Sequence, residues 1–381
     1  MTKYLFSFLF LLDSMVGLTQ TVQPMIASDN KLKSHLDSVV QKATMPFISD
    51  SSKVGLSIGI INNGKVHYYN YGTTQRGEQS LPTNKTVYEI GSVSKTFTGT
   101  LLAQAIEDKK VKIDDDIRKY LNGSYPNLEY QSRPIRLSYL VSHISGLPFF
   151  LPDNPDLFKN PNYDSLPFTI SRIQQNYSKQ QFFEDLHSVR LDTIPGYKWH
   201  YSNAGAQLLK YILEKIYQRS YDQLLSDYIT RPLKMQHTNS LYSKNDLALL
   251  VKGYNDKGKL MPYNPQILDA AGGIFSTTSD MLQYLKFHLD ENNGVVALSH
   301  KITMGDINNY AIGLNWQEQM TSKKQKKIWQ SGGTFGFSSY CVIYPERNVG
   351  IVLLTNESDA RSQGGLEGIA EEIVAQLSSL E

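Results

Sequence analysis

The chain has little cysteine, little excess charge and no long apolar run, and each shortage removes a class of function. Cys341 is the single cysteine in 381 residues. One thiol excludes an internal disulfide and any cysteine-built metal cluster. No His-Glu-x-x-His and no close histidine pair occurs, so a zinc hydrolase is not expected and no metal site is read. Lysine and arginine number 38 against 36 aspartate and glutamate, a net charge of +2. That balance makes no electrostatic case for nucleic acid. After the N-terminus no stretch is apolar and long enough for a transmembrane helix. Internal repeats, low-complexity tracts and domain linkers are also missing. What remains is an ordinary globular composition, 40% hydrophobic and 19% charged. The length suits one large domain, or two layers sharing a core.

The first residues read as an export signal. Lys3 precedes the apolar run Tyr4 to Leu12, and small residues follow at Gly17 and Thr19. Asp13 interrupts the run, which is too short to span a membrane stably. The expectation is a signal peptide over 1–19 and an exported protein, periplasmic or extracellular, with no transmembrane anchor once the signal is removed. No cysteine follows the run, which excludes lipid attachment there.

Apolar spacing predicts a first helix over 30–45, capped by Asp29 or Asn30. Val54 to Ile61 and Val66 to Tyr71 read as two strands, with Asn62-Asn63-Gly64 as the hairpin turn. Residues 134–148 read as a short helix stopped by Gly146 and Pro148, with His143 near its end as a structural hydrogen-bonder. The span 148–170 carries five prolines and several aromatics without periodicity, the signature of a lid or mobile loop. Helical patterns resume over 178–187, 203–217, 222–228 and 278–289. Then come strands at 327–330, 336–344 and 349–355 and a closing helix over 366–379. The fold class is α+β: an antiparallel sheet flanked by N- and C-terminal helices, with an inserted, mainly helical subdomain. One catalytic domain is expected over 30–381, its sheet part at about 30–90 and 300–381 and its helical part at about 91–299.

The chemistry concentrates in Tyr88-Glu-Ile-Gly-Ser-Val-Ser-Lys-Thr-Phe97. Ser92 and Lys95 stand as Ser-x-x-Lys ahead of an apolar-periodic run, one turn apart if a helix begins there. A serine hydroxyl needs an adjacent base, and a lysine serves once burial and nearby positive charge keep it neutral. The spacing alone is weak, since Ser28-Asp29-Asn30-Lys31 repeats it; that copy is read as a cap of the first helix. Gly55-Leu-Ser-Ile-Gly59 fits a nucleophile elbow, but it lies within a strand rather than at a strand-to-helix turn, so Ser57 is read as a sheet residue.

Further segments agree with the first. Leu140-Val-Ser-His-Ile-Ser-Gly-Leu-Pro148, Pro195-Gly-Tyr-Lys-Trp-His-Tyr-Ser-Asn-Ala-Gly205 and Ala271-Gly-Gly-Ile-Phe-Ser-Thr277 follow in order, with Tyr344-Pro-Glu-Arg-Asn-Val-Gly350 near the end. Together these resemble the serine β-lactamase and penicillin-binding-protein superfamily, closest to its class C β-lactamase-like branch, over residues 30 to 380. The resemblance implies acyl-enzyme catalysis without a cofactor, on a small-molecule or short-peptide substrate. It implies that Tyr201, in Tyr201-Ser202-Asn203, shares the proton work with Lys95, and that Asn203 holds Lys95 and the substrate amide. Tyr68, Tyr120 and Tyr125 also begin Tyr-x-Asn, but only Tyr201 follows a Pro-Gly turn and opens a helix. The implied oxyanion hole is the backbone N–H groups of Ser92 and Gly333, and the implied substrate-binding strand carries Gln330, Ser331 and Gly332. There the chain departs from the pattern, because Gln330 stands where the family has a cation. Lys327 is read as pointing to the opposite face and Lys326 as too far along the strand to compensate. Two functions are carried forward: a serine hydrolase of esters, amides or short peptides, and a non-catalytic protein that binds peptides or β-lactams in the same cleft.

Overall fold

The computed structural model describes residues 26–241 and 244–377. The export segment over 1–19 lies outside them. Strands of the main sheet are β1 (Gly55–Asn62), β2 (Lys65–Gly72), β3 (Met304–Asp306), β4 (Tyr310–Ile312), β5 (Gln317–Met320), β6 (Lys326–Gly333), β7 (Ser338–Tyr344) and β8 (Val349–Thr355). Their order is β2-β1-β8-β7-β6-β5-β4-β3, every neighbouring pair antiparallel. The longer helices are α1 (His35–Ile48), α2 (Ser94–Glu107), α3 (Asn203–Tyr217), α4 (Thr278–His288) and α5 (Ser362–Leu377).

Alternation along the strands explains the layering. Leu56, Ile58 and Ile60 of β1 and Ile351 and Leu353 of β8 share one apolar cluster with Leu36 and Val40 of α1 and Leu366 and Ile373 of α5. The intervening Ile61, Val352 and Leu354 enter a second cluster with Phe97 and Leu101 of α2, Leu208 of α3 and Leu282 of α4. A period-2 strand buried on both faces needs apolar residues at successive positions, and β8 (Val-Gly-Ile-Val-Leu-Leu-Thr) supplies them. Each such aliphatic side chain contributes about 1.5–3 kcal/mol on burial. The hairpin between β1 and β2 turns on Asn63 (φ 49°) and Gly64 (φ 77°), both left-handed as a two-residue turn of this hand requires.

Several local expectations are corrected. Ser34, not Asp29 or Asn30, caps α1, through a reciprocal box with Asp37. Asp29 instead receives the backbone N–H and side-chain amide of Asn70. The helix expected over 134–148 is only Leu137–Val141. His143 (φ 58°) breaks it before Gly146 is reached. The aperiodic stretch ends inside a further helix, Leu166–Gln175, which its Pro167 opens rather than forbids. Strands β3 to β5 were not foreseen; at three or four residues each they are too short for alternation to register. Ser57 is a buried sheet residue, bonded to Asn70 (2.8 Å) and to the Tyr88 hydroxyl (2.9 Å).

Candidate active site

The nucleophile turn is held by backbone on both sides. The N–H of Ile90 donates to Ile274 (3.0 Å), and its carbonyl accepts from the Ser339 hydroxyl of β7 (2.7 Å). Gly91 takes φ 51° and starts a tight 3-10 turn over Gly91–Val93, from which α2 continues. Ser92 therefore sits at the mouth of α2 and Lys95 one turn in, on the same side.

Lys95 is fully buried. Its Nζ lies 3.2 Å from Ser92 Oγ and 2.8 Å from Asn203 Oδ1, and it also bonds the carbonyl of Ala271. Burial lowers its pKa below the ordinary lysine range, and the neighbouring Tyr201 opposes that shift by charge and hydrogen bond. The Tyr201 hydroxyl is 2.5 Å from Ser92 Oγ, and its ring stands 4.7 Å from Lys95 Nζ. One hydroxyl thus faces two groups able to take its proton. Among the other Tyr-x-Asn tyrosines, Tyr68 lies in β2, Tyr120 bonds Asp115, and Tyr125 stacks on His187.

The tyrosine loop is tied to the segment 147–149. Ser202 caps α3, accepting from Gly205 N–H and donating to the Pro148 carbonyl (2.6 Å). The N–H of Asn203 donates to Phe149 (2.9 Å). The His143 ring packs at a tilt against Tyr201, centroids 4.3 Å apart, and its Nδ1 accepts the Ser202 N–H (3.2 Å). Burial, and secondarily the charge of Lys95, push the His143 imidazole down to about 3, so it is neutral and free to accept. The sequence read His143 as structural; it is structural for Tyr201 in particular.

Strand β6 forms the opposite wall. A Cβ on Gly332 would lie 2.2 Å from the Ile90 carbonyl and 2.9 Å from the Ser92 nitrogen. One on Gly91 would lie 2.6 Å from the Gly333 nitrogen. Backbone therefore packs against backbone here, with Gly332 beside the Ser92 nitrogen and Gly91 beside the Gly333 nitrogen. Gln330 is buried and committed to protein: its Nε2 donates to Asn315 O (2.7 Å), and its Oε1 accepts from Gln317 (2.8 Å) and from Ser331 N–H (3.0 Å). Asn315 in turn donates to the Lys95 carbonyl (2.9 Å). Gln330 thus braces α2 from the strand. Lys327 pairs with Glu367 and Glu371 of α5, while Lys326 meets Glu291 and Glu318 on the other face. Neither supplies a cation beside Gln330.

Sequence reasoning did not find Ala271, Asn315 or Gln363. Ala271 acts through its backbone carbonyl, which residue identity does not mark, and Asn315 acts through its side-chain amide on Lys95 and its carbonyl on Gln330, partners far from it in sequence. Gln363, in the first turn of α5, places its Nε2 2.7 Å from where a Cβ on Gly333 would be. Among the described residues no cluster of histidine, cysteine and carboxylate side chains suited to a metal ion is present.

An antiparallel sheet with helices on both faces, carrying Ser-x-x-Lys at a helix mouth against Tyr-x-Asn, defines a class of serine hydrolases. The family model described as Beta-lactamase matches residues 33–373, and the chain belongs to that family. A β-lactamase of Pseudomonas fluorescens is 26% identical over 356 residues, covering 84% of this chain and 93% of that one. Protein flp of Staphylococcus aureus strain MRSA252 is 26% identical over 342 residues, covering 86% of this chain and 63% of its own length. Among solved structures, a β-lactamase/D-alanine carboxypeptidase from Yersinia pestis, complexed with citrate, superposes with a TM-score of 0.72 at 24% identity, covering 90% and 99%. A class C β-lactamase from Rhodobacter sphaeroides gives 0.74 at 21%, covering 89% and 99%. At these identities the structures speak for the fold.

Proposed function

We propose that the chain is an exported serine hydrolase that forms an acyl-enzyme at Ser92 and acts on esters, amides or short peptides. The observation that carries this reading is Ser92 Oγ within hydrogen-bond reach of both Tyr201 and a fully buried Lys95. Oγ attacks the substrate carbonyl carbon while its proton passes to Tyr201 and Lys95. The tetrahedral oxygen gathers negative charge between the N–H groups of Ser92 and Gly333, donors typically worth about 3 kcal/mol each. Collapse expels the leaving group, which takes up the proton. Water then adds to the ester of Ser92 and gives a proton to the same pair; collapse breaks the bond from the acyl carbon to Oγ, the pair returns the proton to Oγ, and the acid leaves.

The uncharged, committed Gln330 supports neutral substrates over those carrying a carboxylate. A charge-assisted hydrogen bond is roughly twice as strong as a neutral one, and none is on offer at that position. D-Alanine peptides, the class suggested by the name of the Yersinia neighbour, are therefore the comparison to make. The test is intact-protein mass after exposure to a fluorophosphonate and, separately, to a penicillin, for wild type and Ser92→Ala. The expected result is a fluorophosphonate adduct that Ser92→Ala loses. A penicillin adduct as well moves the substrate toward cell-wall peptides. Folded protein that takes up neither reagent overturns the hydrolase reading and leaves the non-catalytic binding protein.

A further inference from the structure

Beside Tyr201 the segment 146–158, the helix Leu166–Gln175 and the stretch 185–198 enclose a cavity of about 1030 Å³. Ser92 does not line it. Phe149, Phe150, Leu157, Phe158, Ile170 and Ile173 do. The aromatic members form a continuous path from the catalytic tyrosine. Phe149 stands 6.0 Å from the Tyr201 ring, 4.6 Å from Phe150 and 5.5 Å from Phe158. The Phe149 carbonyl receives the N–H of Asn203, so the path is fixed to the element that carries the catalytic amide.

Two features suit this space to a ligand. Its volume reaches the top of the range for small-molecule sites. Phe149 and Phe158 are exposed although they line it, and an exposed aromatic surface in a concave site gains free energy by being covered. Charge narrows the ligand class. The lining carries Asp153, Asp185 and Asp192 against Arg190 and Lys198, three against two, so no net positive charge awaits an anion. Gln330 adds none.

We propose that this cavity receives an aromatic or branched apolar group of the substrate, making the preferred substrates neutral aryl-bearing esters or amides. The assignment rests on the hydrolase reading for its chemistry and on the cavity alone for its binding. The test uses wild type, Ile173→Trp and Leu157→Trp, two variants that fill the cavity from half-buried positions on different walls. Ethyl acetate, benzyl acetate and ethyl phenylacetate place the ring on neither side, the leaving side or the acyl side. At least one aromatic ester is expected to exceed ethyl acetate about tenfold in kcat/KM, a typical scale for an apolar pocket, and that ratio is expected to fall toward one in both variants. Indole, as a neutral probe titrated without turnover, is expected to bind wild type at least about tenfold more tightly than either variant. Equal use of the three esters, a preference that survives both tryptophans, or indole binding indifferent to them overturns the proposal. Ester cleavage that persists in Ser92→Ala, or no cleavage at all, counts against the hydrolase reading instead, and the indole titration still decides the cavity.

Discussion

Gly332 and Gly333 are neighbours on β6, yet an added methyl would meet different things. At Gly332 it would strike the Ile90 carbonyl at 2.2 Å, which is backbone that cannot yield without moving Ser92. At Gly333 the nearest atom is the end of the flexible Gln363 side chain. Gly332→Ala is therefore expected to lower kcat about a hundredfold or more, because a misplaced oxyanion donor costs on that scale. Gly333→Ala should stay within about tenfold, since it keeps its N–H and displaces only an amide tip. Steady-state kinetics on one ester decides the contrast, and equal losses would refute the contact argument.

In the proposed mechanism Lys95 sets the pH dependence. It takes a proton only when uncharged, so activity rises with pH through its folded-state pKa. Burial moves that pKa below 10.5, and the rising limb of kcat/KM on a neutral ester should be centred below that value. Lys95→Arg, which stays charged, should remove activity by about 10³-fold. A limb at the ordinary lysine value would mean that Lys95 is not the base. The Ser92–Lys95 spacing was legible because both residues lie in one helical turn. The commitment of Gln330 was not, because its partners Asn315 and Gln317 come from another strand and its approach.

At the scale of elements, α3 does more than carry Asn203. Two turns further along, Lys210 forms a buried pair with Asp269 (2.8 and 2.7 Å), and Asp269 Oδ1 also accepts the Ala270 N–H. The next residue, Ala271, holds Lys95 through its carbonyl. Burial raises the Asp269 carboxyl to about 6 even against the pull of Lys210. Lys210→Met would strand that carboxylate, and breaking a buried pair costs about 3–5 kcal/mol. Urea unfolding at neutral pH should show this loss, and acid should reduce it as Asp269 becomes neutral. Lys210→Met/Asp269→Leu should recover much of the stability. A double variant no better than the single would place the cost elsewhere. None of this was visible beforehand: apolar periodicity marks only the buried face of α3, and neither Lys210 nor Asp269 belongs to a motif.

Across the whole molecule the sequence resolved what is periodic and long, namely β1, β2, β7, β8 and the helices α2 to α5. It missed what is short or held by distant contacts. The short strands β3 to β5 are the clearest case, and they carry an acid with its own consequence. Glu318 on β5 is fully buried, with Lys326 of β6 at 3.3 Å and Glu291 beyond it. Burial raises its carboxyl to about 7, against an ordinary value of 4.5. In the unfolded chain the group loses its proton near 4.5, whereas in the folded chain it keeps it to about 7. Between those values the folded state binds more protons, so stability is greatest below the unfolded value and falls as pH rises through the folded one. His288 and His300, packed nearby and pushed down by burial, act oppositely and weaken the fold in acid. Glu318→Gln removes the first slope and leaves the second. Wild type should therefore lose on the order of 2 kcal/mol relative to the variant between about pH 5 and pH 8, read from urea midpoints at both values. The difference should vanish on the acid side, where both side chains are neutral. A wild type that keeps pace with Glu318→Gln up to pH 8 would mean that Lys326 holds the carboxylate ionised, and the edge of the sheet would then be anchored by charge rather than by a buried acid.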